Sequence, residues 1–182
     1  IEGIIINSDD TKIAVFTRDN KSALFPPKNI IVINTKTGAR LFSRNGHKEL
    51  GISMANFSPN GQKLLLAKNS NAEILDATTG KVLVPFELSE GITTAYFSTD
   101  GEKIITSAFY GGTIKVWSSQ NGKLINELKG GTNVIYSPRF DSKGTNLLAI
   151  SDNAVVHTWN ASSGNPICEY NEKAGKVDYA HF

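Results

Sequence analysis

Residue types that define whole classes of protein are scarce in this chain of 182 residues. It contains one cysteine, Cys168, and two tryptophans. A single cysteine cannot form an internal disulfide and excludes a zinc site built from several cysteines, so we expect an intracellular, cytoplasmic location. No apolar run approaches the roughly 20 residues that cross a bilayer as a helix, so we expect no membrane partner.

An excess of charge of one sign is also absent. The 19 basic and 17 acidic residues leave a net charge of +2, and the lysines are spread along the chain. Nucleic-acid-binding proteins usually concentrate basic residues on one surface, so we expect no nucleic-acid partner. Apolar residues at 40% and charged residues at 20% fit a globular protein and argue against disorder.

Recognisable catalytic and metal-binding motifs are missing as well. Neither G-x-S-x-G nor G-x-x-x-x-G-K-[S/T] occurs, and His47, His157 and His181 do not pair at metal-ligand spacing. His157 lies in the apolar string "VVHTW", where a hydrogen-bonded structural histidine is expected. Four aspartates fall in predicted turns and are expected to cap the local backbone: Asp9, Asp10, Asp100 and Asp141. We therefore predict no catalytic residue, no metal and no cofactor.

The sequence does contain an internal repeat of about 42 residues. An aliphatic or tryptophan column recurs at intervals of 42, and a glycine follows five residues later each time. The first column is Ile33, Leu75, Trp117 and Trp159, and the second is Gly38, Gly80, Gly122 and Gly164. Four matches in two columns indicate one structural unit used repeatedly.

Another column lies upstream and sets the boundaries of the units. The strings "NFSPNGQKLLLA", "YFSTDGEKIITS" and "RFDSKGTNLLAI" share a phenylalanine, and an aliphatic residue stands five positions before it. This spacing predicts four units, at 1–51, 52–91, 92–134 and 135–176. Residues 177–182, "VDYAHF", match the opening strand of a fifth unit.

Each unit reads as four short strands joined by turns. In the third unit the strands are expected at 92–97, 103–109, 113–117 and 123–128. The glycines that close "SPNG", "STDG", "ATTG" and "SQNG" are expected to adopt positive φ. The second strand is apolar at nearly every position, so cover on both faces is expected. No segment has sustained helical periodicity, and we predict an all-β fold.

Two motifs carry a family resemblance over essentially the whole chain. "F-S-x-[D/N]-G" before the second strand and "[aliphatic]-x-[aliphatic]-W-x-x-x-x-G" at the end of the third resemble the WD40-repeat family, most closely in "TIKVWSSQNGK". The resemblance implies a β-propeller of four-stranded antiparallel blades, with four blades plus one extra strand here. It also implies a non-catalytic scaffold that binds a protein or peptide through the propeller rim.

The chain departs from the family pattern at the pair that gives the family its name. No unit has both Trp and Asp; the pairs are Ile33-Asn34, Leu75-Asp76, Trp117-Ser118 and Trp159-Asn160. The expected Asp between the second and third strands is also missing. We therefore expect that the family's hydrogen-bonded network from Gly-His through Asp to Trp does not form as usual.

The number of units leaves the assembly open. Seven units of this length would need about 294 residues, so the chain is too short for the usual ring. The count favours a piece of a longer chain. The alternatives are self-association, in which two copies supply eight blades, and a closed ring of four blades.

The first unit is longer than the others because of a proline-containing connection at residues 17–29. Arg18, Phe25, Pro26 and Pro27 in this loop, with Phe109 and Tyr110 of the third unit, are the candidate partner-binding residues on one rim. The alternative is that these aromatics pack on their own or the next blade. An enzyme or small-molecule binder with a site in the central channel is the other functional hypothesis.

Overall fold

The computed structural model describes residues 3–17, 29–45, 52, 54–68, 71–87, 92–108, 113–129, 135–151 and 154–171. All sixteen described elements are strands. They are β1 (Gly3–Ile6), β2 (Lys12–Thr17), β3 (Asn29–Asn34), β4 (Arg40–Asn45), β5 (Met54–Phe57), β6 (Lys63–Lys68), β7 (Asn71–Asp76), β8 (Val82–Glu87), β9 (Ile92–Phe97), β10 (Lys103–Ala108), β11 (Thr113–Ser118), β12 (Leu124–Lys129), β13 (Ile135–Phe140), β14 (Asn146–Ser151), β15 (Val155–Asn160) and β16 (Pro166–Asn171).

These strands form four antiparallel sheets of four strands each, in sequential order. Sheet 1 holds β1 to β4, sheet 2 holds β5 to β8, sheet 3 holds β9 to β12 and sheet 4 holds β13 to β16. The prediction of an all-β fold built of propeller blades is confirmed. In the third unit each strand end lies within one residue of its predicted position. The predicted extra strand at 177–182 lies outside the described residues.

The chain divides into two compact units, residues 1–97 and 98–182. The first contains sheets 1 and 2 together with β9, and the second contains β10 to β12 and sheet 4. Within each, strands alternate their side chains between two faces. We call the face that carries Ile13 in sheet 1 the front face, and the opposite face the back face. The residues equivalent to Ile13, which define the front face of the other three sheets, are Leu64, Ile104 and Leu147.

An apolar cluster lies between sheets 1 and 2 in the first unit. Ala14, Ile30 and Val32 on the back face of sheet 1 are fully buried against residues of sheet 2. Leu64 and Leu66, on the front face of sheet 2, are equally buried in this cluster. The back of sheet 1 thus packs on the front of sheet 2. In β6, Leu64 and Leu65 are neighbours on opposite faces and both are buried, which explains why this second strand is apolar throughout.

The turns repeat as regularly as the strands. Gly38, Gly80, Gly122 and Gly164 all have φ between +69° and +74°, and the glycines of the first-to-second-strand turns have φ between +66° and +74°. This conformation disfavours residues with a Cβ, as the sequence predicted. At Gly80 there is a second constraint, since a Cβ would lie 2.6 Å from the ring of Phe42 on sheet 1.

Replacing Gly80 with alanine should therefore cost about 2–4 kcal/mol of unfolding free energy, from a strained φ and a displaced Phe42 ring. Gly38→Ala is the matched control, because Gly38 has the same conformation and a Cβ added there would have no atom within 4 Å. That variant should lose about 1–2 kcal/mol. Urea unfolding of both variants measures the difference, and equal losses would show that the Phe42 contact contributes nothing.

Candidate functional site

The predicted rim residues lie outside the described residues: Arg18, Phe25, Pro26, Pro27, Phe109 and Tyr110. The ends of the long connection are nonetheless fixed. Thr17, at the end of β2, pairs with Asn29, at the start of β3, so the loop leaves and re-enters sheet 1 at one point. The rim assignment stays a prediction.

A cleft of about 410 Å³ opens in the first unit between the ends of β1 and β5. Its lining residues combine aliphatic, aromatic, hydroxyl and amide groups: Ile5, Ile6, Ser8, Asn56, Phe57, Ser58 and Pro59. The volume is within the range of small-ligand sites, and the walls are mainly apolar. Sequence reasoning missed this cleft, because it forms where two strands 51 residues apart come together.

The mouth of the cleft is held by polar contacts between the two turns. Ser8 donates a hydrogen bond from its hydroxyl to the Pro59 carbonyl oxygen. Asn7 is buried; its side-chain oxygen accepts from the Lys12 amide at 2.8 Å, and its side-chain nitrogen donates to Asp9 at 2.7 Å. A Cβ on Gly61 would lie 2.5 Å from that nitrogen, so the two turns are in close contact. These contacts fix the width of the cleft.

The aspartates of the turns act as backbone caps, as predicted for Asp9, Asp100 and Asp141. Asp9 accepts hydrogen bonds from the Thr11 hydroxyl and amide, and these bonds lower the pKa of its carboxyl. Asp141 accepts from the Thr145 amide at 2.7 Å. Asp10 behaves differently, since it adopts φ +57° at the position where the other turns have glycine.

At Asp100, partial burial raises the carboxyl pKa, but stronger opposing contacts leave it below its ordinary value. The hydrogen bonds come from the Ser98 hydroxyl, the Glu102 amide and the Lys103 ammonium. The Lys103 ammonium lies 3.3 Å from the carboxylate. Hydrogen bonds that require the ionised form explain this balance.

The position where the family has the Asp of Trp-Asp also works as a cap. Asn34, Asp76 and Asn160 each accept hydrogen bonds from the backbone amides two and three residues later, and the Ser118 hydroxyl accepts one at 3.3 Å. An oxygen acceptor is therefore what this turn needs, and Asn supplies it as well as Asp.

The positions of the family's Gly-His pair and of its Asp lie outside the described residues, so the expectation about that network stays a prediction, but the two tryptophans are described. The Trp117 indole nitrogen donates to the Thr106 hydroxyl at 2.9 Å, and both residues are buried. The equivalent of Thr106 in sheet 4 is Ala149, and Trp159 instead stacks on His157 with ring centroids 5.4 Å apart. The two tryptophans at equivalent positions thus have different partners in sheets 3 and 4.

His157 is a structural histidine, as predicted from its place in an apolar strand. It is 6% exposed, and its ring nitrogens lie 3.3 Å from the Ser151 hydroxyl and 3.0 Å from a Glu169 carboxylate oxygen. Both nitrogens are thus engaged within sheet 4. Among the described residues, no group of three or more His, Cys, Asp or Glu side chains could hold a metal ion.

Comparison with known proteins identifies one segment of the chain as a known type of repeat. Residues 81–118 match the family described as WD domain, G-beta repeat. The human WD repeat and SOCS box-containing protein 1 is 31% identical over 103 residues, which cover 54% of this chain and 24% of that protein. These two matches support assignment of the chain to the WD40-repeat family. It matches about a quarter of the length of this relative.

The matched WD40 repeat is out of phase with the sheets. It runs from the start of β8, the outer strand of sheet 2, to the end of β11, the third strand of sheet 3. WD40 repeats generally mediate protein interactions and are generally non-catalytic. No helix in the described part of the chain is long and apolar enough to cross a membrane.

The caps make a specific prediction about acid stability. The Asp76 carboxyl accepts from the Thr79 amide and hydroxyl, and these bonds hold its pKa below the ordinary 3.8. A carboxyl with a lowered folded-state pKa contributes stability above its unfolded pKa, and that contribution is lost as pH falls through the folded value. Unfolding free energy should therefore decline below about pH 5.

Asp76→Asn separates charge from geometry, because Asn34 and Asn160 already fill this position in other sheets. It should change stability little at neutral pH and flatten the decline in acid. Asp76→Ala removes the acceptor and should cost about 1 kcal/mol at neutral pH. Urea unfolding curves recorded about every half pH unit from pH 3 to pH 7 measure both effects. An unchanged acid slope in Asp76→Asn would refute the assignment.

Proposed function

We propose that the chain is a non-catalytic scaffold that binds a protein or peptide partner. The observation that carries this proposal is how its reactive side chains are used. Asp9, Asp76, Asp100 and His157 are each engaged in hydrogen bonds of their own turn or sheet. An enzyme or small-molecule site in the central channel would need such groups to converge, and no observation on the described residues favours it.

The cleft between β1 and β5 is the docking position that the described residues support best. Ile6, 55% exposed, offers an apolar contact, and the exposed Asn56 amide can both donate and accept hydrogen bonds. A peptide presents this combination, with apolar side chains beside backbone amides and carbonyls. The rim with Phe25 and Phe109 is the second docking position proposed.

The location proposed for this scaffold is intracellular. Cys168 is a free, exposed thiol and the sole cysteine of the chain. Such a thiol suits a reducing compartment, where it is not driven to pair with other thiols.

Selection of peptides from a displayed library, followed by fluorescence titration, tests the proposal. Asn56→Phe fills the cleft, and Phe25→Ala with Pro26→Ala alters the rim. If the cleft is the site, the first variant should weaken selected peptides by at least about tenfold and the second should not. Leu83→Ala, on the exposed outer strand β8, is the control and should bind normally.

Loss of binding in the rim variant alone would move the site to the loop at 17–29. Failure to select any peptide that binds the wild-type chain, or equal binding by all variants, would contradict the proposal. Circular dichroism of each variant checks that the sheets are intact, so that a folding defect is not read as loss of a site.

A further inference from the structure

The front face of sheet 1 is more aliphatic and less covered than the corresponding face of the other sheets. Strand pairing places six residues on it: Ile4, Ile6, Ile13, Val15, Ile31 and Ile33. Ile4 and Ile6 are 58% and 55% exposed, whereas Phe57, the equivalent of Ile6 in sheet 2, is 8% exposed. Ile31 stands where the other sheets have Glu73, Lys115 and His157.

The back face of sheet 4 is open in a complementary way. Val156 and Thr158 are partly exposed, while their equivalents in sheet 3, Ile114 and Val116, are completely buried. On the outer strand, Tyr170 is 56% exposed and its equivalent Leu128 is 2% exposed. These residues pair across β15 and β16, so they form one continuous face.

Front-to-back packing inside the chain shows what fits these two faces. In the first unit the back of sheet 1 is buried against the front of sheet 2. In the second unit Asn126, on the back of sheet 3, donates hydrogen bonds to the Ala161 and Ser162 carbonyl oxygens of sheet 4. A surface that meets the front of sheet 1 in the same way would be the back of another such sheet.

The third-to-fourth-strand turns mark the covered junction inside each compact unit. A Cβ on Gly80 would lie 2.6 Å from Phe42, and one on Gly164 would lie 3.0 Å from Asn126, each on the preceding sheet. At Gly38 in sheet 1 nothing lies within 4 Å. Cys168 is the residue of sheet 4 equivalent to Phe42 and Asn126, and it is exposed.

Charge complementarity favours sheet 4 of the same sequence as the partner of sheet 1. In the second unit a Cβ on Gly144 would lie 2.9 Å from the Asp100 carboxylate of the preceding turn. The residues equivalent to Asp100 and Gly144 at a junction of sheet 4 with sheet 1 are Lys143 and Asp10, both exposed. At such a junction the Lys143 ammonium would lie beside the Asp10 carboxylate, in the place that Asp100 and Gly144 occupy between sheets 3 and 4. The two opposite charges would attract each other.

We propose that a second copy of this chain covers the front face of sheet 1 with the back face of its sheet 4. Gly38 of one copy then faces Cys168 of the other, and Asp10 faces Lys143. The contact joins two different surfaces, so it is heterologous. This goes beyond the proposed scaffold function, because it concerns assembly and does not depend on any peptide partner.

Cross-linking tests the predicted contact directly, because Cys168 is the sole cysteine. Gly38→Cys should give a disulfide-linked pair of chains on mild oxidation, with position 38 joined to position 168 in mass spectra of the digested product. Two controls each lack one thiol of the predicted link. Gly38→Ser keeps the same backbone strain without a thiol, and Gly38→Cys combined with Cys168→Ser lacks the partner thiol. Neither should give a link between positions 38 and 168. If the only links found join position 38 to position 38, or position 168 to position 168, the proposal is overturned.

Solution mass provides the second measurement, on the unmodified chain. Sedimentation over a range of concentrations should show association, either to a fixed mass or growing with concentration, since a heterologous contact can close or extend. Lys143→Glu should weaken this association by about three- to tenfold at low salt. Lys123→Glu makes the same charge change on an exposed turn of sheet 3 and should leave it unchanged.

A chain that stays monomeric at every concentration would overturn the proposal. That result would leave further sheets of a longer polypeptide as the cover for these two faces. Association that Lys143→Glu and Lys123→Glu weaken equally would also overturn it, because the effect would then come from net charge and not from the predicted pair.

Discussion

Front-to-back packing of successive sheets is the contact on which each compact unit depends. A four-stranded sheet with apolar residues on both faces cannot shield them by itself, and the free energy of burial scales with the area removed from water. Leu64 and Leu65 show this in β6, since adjacent residues on opposite faces are 0% and 1% exposed. Each sheet is therefore stabilised by packing on a neighbour as well as by its own strand pairing.

The polar turns between the third and fourth strands are held by local hydrogen bonds. Asn34, Asp76, Ser118 and Asn160 hold equivalent turns with three kinds of side chain, because the turn requires an oxygen acceptor and not a charge. A chain can thus lose the Trp-Asp pair in every unit and keep the blade. The segment that matches the family, residues 81–118, itself ends on Trp117-Ser118 and lacks the pair.

Spacing predicted the strands well, because hairpin turns with glycine at positive φ fix strand length and order within a unit. It could not predict the cleft, since Ile6 and Asn56 meet through packing between sheets and not through local pattern. The spacing also did not predict the Trp117 bond to Thr106, because donor and acceptor lie on neighbouring strands of one sheet and not at equivalent positions of the repeat. Hydrophobic periodicity reports which face a residue occupies, but not whether anything covers that face.

Ile6 belongs both to the cleft and to the open front face of sheet 1. A peptide seated against this side chain and a second sheet packed over it would compete for the same apolar surface. Two ligands that share a residue in this way are linked, and each must weaken the other's binding by the same factor. If both proposals hold, self-association and partner binding are therefore not independent properties of the chain. The exposed end of β1 would be the point where assembly and recognition are coupled.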